Sequence, residues 1–162
     1  MEPIHTFEFL RQQTKKRSGQ PNCSLADFVC PKEQRKVDYM GIFAVTAGLN
    51  IAPLIDQFEA NSDDYSIILV KALADRMAEA FAEYLHYKIR TEYWAYSQEE
   101  ANNEAFIAEQ YEGIRPAPGY PACPDHTEKL KLFSLLEVSE RVGLSLTESL
   151  AMLPASSISG FY

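Results

Sequence analysis

The segment Arg115-Pro116-Ala117-Pro118-Gly119-Tyr120-Pro121-Ala122-Cys123-Pro124 is where this sequence concentrates groups able to hold a ligand. Four prolines in ten residues fix φ at four places and remove four backbone donors, which makes a stiff, extended loop rather than a flexible linker. Gly119 permits a positive φ or a close backbone approach. Arg115 and Tyr120 are the side chains that could contact a ligand. The remaining N–H and C=O groups of the loop need partners, and a bound small molecule is one way to supply them.

Three plainer readings compete. The loop could be a rigid connection between two helices. Arg115-x-x-Pro118-x-x-Pro121 formally matches a polyproline II ligand of SH3 domains, although such ligands usually lie in disordered tails and this loop joins two good helices. Cys123-x-x-His126 has metal-ligand spacing, but a structural zinc site needs a second pair, and six residues separate Cys23 from Cys30. A second group of chemical interest is the row Asp75, Glu79 and Glu83, spaced i, i+4, i+8. Such a charged row is usually a solvated helix face.

The elements that must position these groups are mostly helical. The stretch 69–90 contains no Gly or Pro and is rich in strong helix formers. Asp63 or Asp64 is the expected cap of a helix reaching about Tyr96. Val70, Leu73, Ala74, Met77, Phe81, Tyr84 and Leu85 recur at helical spacing as its apolar stripe. Before it, 37–46 reads as a nearly continuous apolar strand with a central, two-sided position, and 49–60 as a weak helix with Pro53 in its first turn. After it, Asn102 or Asn103 caps a helix to about Tyr111, closed by Gly113. Beyond the loop, Asp125-His126-Thr127-Glu128 has the form of a capping box. It opens a helix with Leu130, Phe133, Leu136 and Leu135 on its apolar stripe, ending at Gly143. The stretches 144–153 and 156–162 read as two strands that pair through a turn at Pro154-Ala155. The first 36 residues are irregular and polar, with a turn over 19–22.

Several of these segments resemble the activation domain of cobalamin-dependent methionine synthase. The resemblance runs through Ile114-Arg-Pro-Ala-Pro-Gly-Tyr-Pro-Ala-Cys-Pro-Asp-His-Thr-Glu-Lys129 and through Val70-Lys-Ala-Leu-Ala-Asp-Arg-Met-Ala-Glu-Ala-Phe-Ala-Glu-Tyr-Leu-His86. It also covers 24–31, 38–48 and 146–152, so it spans nearly the whole chain from about Phe7. It implies an α+β fold, with a twisted, mainly antiparallel sheet, a long central helix and several shorter helices, over one partial domain, 1–162. It further implies a module that binds S-adenosylmethionine and supports the reductive methylation of inactive cob(II)alamin to methylcobalamin.

The family's Arg-x-x-x-Gly-Tyr pattern falls on Arg115, Gly119 and Tyr120. The role implied for Arg115 is to bind the ligand carboxylate, which suits a planar fork of donors. Ala117 would contact the ligand through its backbone. Glu79 matches a helix carboxylate near the ligand's amino-acid end, and Asp75 a residue that helps hold a cobalamin domain. The implied partners are that cobalamin-binding domain and an electron donor, flavodoxin or a flavin reductase.

There are departures from the family. The acidic partner expected for Asp75 in the turn after the first strand is replaced by Ile51 or its neighbours. A ligand-binding Asp falls before this chain's first residue and a ligand-contacting Tyr after its last, so the chain is expected to be truncated at both ends and to bind weakly. The cobalamin pattern Asp-x-His-x-x-Gly is absent: Pro3, Tyr84 and Pro124 stand two residues before His5, His86 and His126. Cobalamin would therefore belong to a separate domain. The alternative is a degenerate module that only docks a cobalamin domain or flavodoxin.

Composition bounds the remaining classes. The 162 residues are the size of one domain, and 46% hydrophobic with 23% charged residues supports an ordinary core. A net charge of -8 disfavours nucleic acid as a partner. No apolar run approaches the length of a membrane span, and the N-terminus lacks a signal-peptide pattern, so membrane association is not expected and the cytoplasm is. Three widely spaced cysteines suit reduced thiols rather than a disulfide framework. There is no glycine-rich loop of the Rossmann kind, nucleophile elbow or P-loop, and neither a catalytic residue nor a metal ligand is assigned.

Overall fold

A computed structural model describes residues 5–98 and 102–162. The strand β1 (Ile42–Thr46) pairs antiparallel with β4 (Ser157–Phe161), with Phe43 opposite Gly160 and Val45 opposite Ile158. Alternation along β1 sends its residues to two sides. Phe43 and Val45 pack with Ala82 of the long helix. Ile42 and Ala44 pack on a second cluster containing Leu132, Phe133, Val138, Leu144 and Phe161. The two-sided burial expected of this strand is therefore observed, but among the described residues it has one strand partner, β4, rather than a central place between two, and it begins at Ile42 rather than 37. Val37 and Tyr39 are exposed, and before Ile42 the pairing continues only through the reciprocal Gly41–Tyr162 hydrogen bonds at 3.1 and 2.9 Å.

The helix α1 (Ala52–Ala60) carries Pro53 in its first turn, where a missing N–H costs little. The long helix α2 (Asp64–Lys88) is capped by Asp63, whose carboxylate accepts the Ser66 N–H at 3.0 Å and hydroxyl at 2.7 Å. It does not run as an α-helix to Tyr96. After Lys88 it widens into a π-type turn, Ile89–Tyr93.

The buried face of α2 shares Ala74 with the expected stripe but otherwise differs from it. Ala74, Ala78, Ala82, His86 and Arg90 are buried at strides of four. Leu73, Met77, Phe81 and Tyr84 are exposed by 58, 57, 49 and 52%. Three alanines in a row let the helix lie close over β1 and β4, which larger side chains would prevent. The larger apolar groups lie on another flank.

The helix α3 (Asn103–Ile107) is capped by Asn102 and stops well short of Tyr111. In α4 (Glu128–Leu136) the expected capping box does not form. Asp125 instead accepts the Thr127 N–H at 2.8 Å and hydroxyl at 2.7 Å, while Glu128 is buried and takes two hydrogen bonds from Lys131. Of the expected stripe Phe133 is buried and Leu130 is exposed, while Leu132, outside that stripe, is fully buried. Glu137, in the left-handed region, separates α4 from α5 (Val138–Val142), which ends at Gly143. The remaining hairpin joins β2 (Ser145–Leu146) to β3 (Met152–Leu153). Thus 144–153 folds on itself, and the last strand pairs with β1 rather than with it.

The fold is mixed α+β with antiparallel pairing, as expected, although the strands form two small sheets among the described residues. Phe7 and Phe9 from the irregular N-terminal segment stand edge-on to Phe161 with centroids at 5.2 and 5.4 Å, which fixes that segment to the core. Among the described residues, no helix is long and apolar enough to cross a membrane.

Candidate functional site

The proline-rich loop is locked to the sheet by one backbone contact. The Phe161 N–H donates to the Pro116 carbonyl at 2.9 Å, so the loop runs beside β4. Beyond it the chain turns sharply: the Gly119 N–H donates to the Cys123 carbonyl at 2.7 Å, and the Cys123 N–H to the Tyr120 carbonyl at 2.9 Å. Gly119 has φ +103°, and a Cβ there would lie 2.3 Å from the His126 ring. Only glycine fits this turn without strain. Pro118 and Cys123 are buried beneath it, whereas Tyr120 is exposed.

The loop forms one wall of a cavity of about 710 Å³. Arg115, Ala117, Gly119, Tyr120 and Glu79 all line it, which brings five sequence-designated residues from two distant segments to one place. That volume suits a ligand of nucleoside size. Asp75 does not line the cavity. It lies one helical turn before Glu79 and accepts the Ser156 hydroxyl at 2.6 Å.

The row Asp75, Glu79, Glu83 is therefore no uniformly solvated face. Its three carboxylates meet Ser156, the cavity and a half-buried ionic cluster in turn. In that cluster Glu83 Oε2 accepts from Arg115 Nη2 at 3.1 Å and from the Tyr111 hydroxyl at 3.1 Å. Glu83 Oε1 faces Arg90 Nη1 at 3.9 Å, and the Arg90 guanidinium lies 3.8 Å from the Tyr111 ring centre. Arg115 Nε is buried and has no hydrogen-bond partner among the described residues.

His86 completes the cluster, stacked on Tyr162 and edge-on to Tyr111. Burial, with Arg90 and Arg115 nearby, depresses its pKa to about 3, so its ring is neutral. Burial and then Glu83 push the Tyr111 phenol up to about 12, and burial raises that of Tyr162 as well. Lys129 also lines the cavity; burial lowers its pKa, and its ammonium donates to the Leu150 carbonyl at 3.0 Å.

The sequence marks Glu83 only as part of a charged helix row, and it gives His86, Arg90 and Tyr111 no part in the site. The stride from Glu79 to Glu83 and on to His86 and Arg90 was the available signal, because it marks one helix face bearing charge where an apolar stripe would be expected. Gln12, Ser157 and Ser159 also line the cavity, and nothing in their sequence context marks them.

The arrangement matches known proteins along its full length. A solved structure described as the MetH reactivation domain bound to AdoHcy is 57% identical and superposes with a TM-score of 0.93, covering 100% of this chain and 50% of that one. The chain thus spans half the length of that structure. The family model for the activation domain of vitamin B12 dependent methionine synthase matches residues 1–162. The chain belongs to this family of methionine synthase activation domains.

Proposed function

We propose that residues 1–162, acting as one domain unit, bind S-adenosylmethionine in the cavity beside the proline-rich loop and support cobalamin reactivation in a methionine synthase. The observation that carries this reading is the gathering of Arg115, Ala117, Gly119, Tyr120 and Glu79 around one cavity. The residues fit the ligand's chemistry. Its carboxylate calls for a guanidinium, and Arg115 keeps a buried, unpartnered Nε. Its ammonium and sulfonium call for a carboxylate, which Glu79 supplies. The loop's fixed backbone, with Ala117 at its centre, offers carbonyl and N–H groups at little cost in ordering. The relative that carries AdoHcy, the same ligand without its methyl group, supports the assignment.

When bound, S-adenosylmethionine supplies the methyl group that, with one electron, returns cob(II)alamin to methylcobalamin. This chain's residues bind and orient. Arg115 and Glu79 fix the amino-acid end, and the Gly119–Tyr120 turn closes the wall. Cobalamin sits on a separate domain that docks on the side of Asp75, and the electron comes from flavodoxin or a flavin reductase. Three free cysteines fit a reducing cytoplasm. A module that only docks partners would have no reason to keep these five residues around one cavity.

The test is a nuclear magnetic resonance titration of the chain with S-adenosylmethionine, which detects weak binding. Saturable shifts are expected in 115–123 and around Glu79. Arg115→Ala is expected to weaken binding by roughly tenfold or more. A folded wild-type chain without saturable shifts overturns the reading.

A further inference from the structure

Arg115 alone is a poor recognition element. Arginine has a long side chain with large rotamer freedom, and fixing it costs on the order of a factor of ten in affinity unless the protein has already done so. Prolines on one side of Arg115 hold its backbone but not its guanidinium. The group that reaches the guanidinium is Glu83, one helical turn beyond Glu79, at 3.1 Å from Nη2. Glu83 is itself held. Its Oε2 takes the Tyr111 hydroxyl at 3.1 Å, and the Tyr111 ring lies against Arg90 at 3.8 Å. Arg115 still lines the cavity, and its Nε has no partner among the described residues. One donor is tied from behind while the group remains at the cavity wall.

We propose that Glu83 is a positioning residue, which, braced by Tyr111, fixes the Arg115 guanidinium for the carboxylate of an S-adenosyl amino-acid ligand. This inference rests on the reading of the cavity as the S-adenosyl site. It separates two carboxylates of one helix by role: Glu79 faces the ligand, and Glu83 acts through Arg115. A Glu83–Arg115 pair that served folding alone would make no distinction between ligands with and without a carboxylate. A positioning role does.

The experiment compares two ligands by resonance titration of the full chain: S-adenosylhomocysteine, and 5′-methylthioadenosine, which shares its nucleoside and thioether but lacks the amino-acid end. Glu83→Gln keeps the shape and removes the charge. It is expected to weaken S-adenosylhomocysteine roughly tenfold and to change methylthioadenosine by less than about twofold. Tyr111→Phe removes only the brace. It is expected to give a smaller loss, about threefold, again confined to S-adenosylhomocysteine, and it serves if Glu83→Gln does not fold. Equal losses for both ligands, no loss, or tighter S-adenosylhomocysteine binding would overturn the positioning role while leaving the site intact. Failure of the folded wild-type chain to bind either ligand would overturn the site reading, and the positioning role with it.

Discussion

Gly160 is where the sheet presses on the proline-rich loop, and replacing it with alanine tests that coupling. A Cβ at this position would lie 2.4 Å from the Pro116 carbonyl oxygen and 3.0 Å from the Phe43 ring. The oxygen belongs to backbone held by prolines and cannot rotate away. Ordinary carbon–oxygen contact begins near about 3.3 Å, so Pro116 must retreat by roughly 1 Å. That shift breaks or stretches the 2.9 Å hydrogen bond from the Phe161 N–H to the same oxygen. Overpacking costs about 1–3 kcal/mol and the lost hydrogen bond about 1 more, for a total of about 2–4 kcal/mol. For a chain of this length the midpoint of thermal unfolding should fall by roughly 5–15 °C. The displaced loop also carries Arg115, Ala117 and Gly119, so S-adenosylhomocysteine binding should weaken together with stability. Gly19→Ala is the control: Gly19 has φ +86° but nothing within 4 Å of a new Cβ, so local strain should lower stability without touching the ligand. Differential scanning calorimetry and a ligand titration read both quantities. A Gly160→Ala chain with wild-type unfolding temperature and wild-type affinity would refute the reasoning.

Further outcomes follow from buried groups. His86 is held neutral, with a folded pKa of about 3 against 6.5, so the unfolded chain takes up a proton that the folded chain refuses. Its contribution is intact above pH 6.5 and is lost as pH falls toward 3, by about 2 kcal/mol between pH 6.5 and 5. Urea unfolding at the two pH values should show this loss in the wild type and not in His86→Phe. Cys123 is 1% exposed and burial pushes its thiol up to about 11, so a thiol reagent near pH 8 should titrate Cys23 and Cys30 quickly and Cys123 only on unfolding. Ala78→Leu on the buried face of α2 should destabilise by about 1–3 kcal/mol, whereas Met77→Lys on the exposed flank should stay within about 0.5 kcal/mol, both by chemical denaturation.

The proline-rich loop is legible in the sequence because proline and glycine dictate backbone directly, and its residues line one cavity with Glu79. The long helix is legible from its composition, and Asp63 from its place before it. The buried face of that helix is not. Hydropathy favours Leu73, Met77 and Phe81 beside Ala74, but packing against β1 and β4 selects Ala74 with the equally small Ala78 and Ala82, and it buries His86 and Arg90 where ring stacking and Glu83 receive them. The strand pairing is hidden for a different reason. β4 finds its partner more than a hundred residues away in β1, while the nearer 144–153 closes on itself through the Thr147 N–H and the Ala151 carbonyl. Local pattern carries no information about that choice. The role of Glu83 is likewise set by tertiary contact, since the same spacing on an uncovered helix would be a solvated charge row.

A crystal structure of the chain grown with S-adenosylhomocysteine tests the central claim most directly. The ligand should occupy the cavity between Glu79 and the 115–123 loop, with its carboxylate on the Arg115 guanidinium and its ammonium toward Glu79. Ligand density elsewhere, or density in the cavity with the carboxylate turned away from Arg115, would contradict the account.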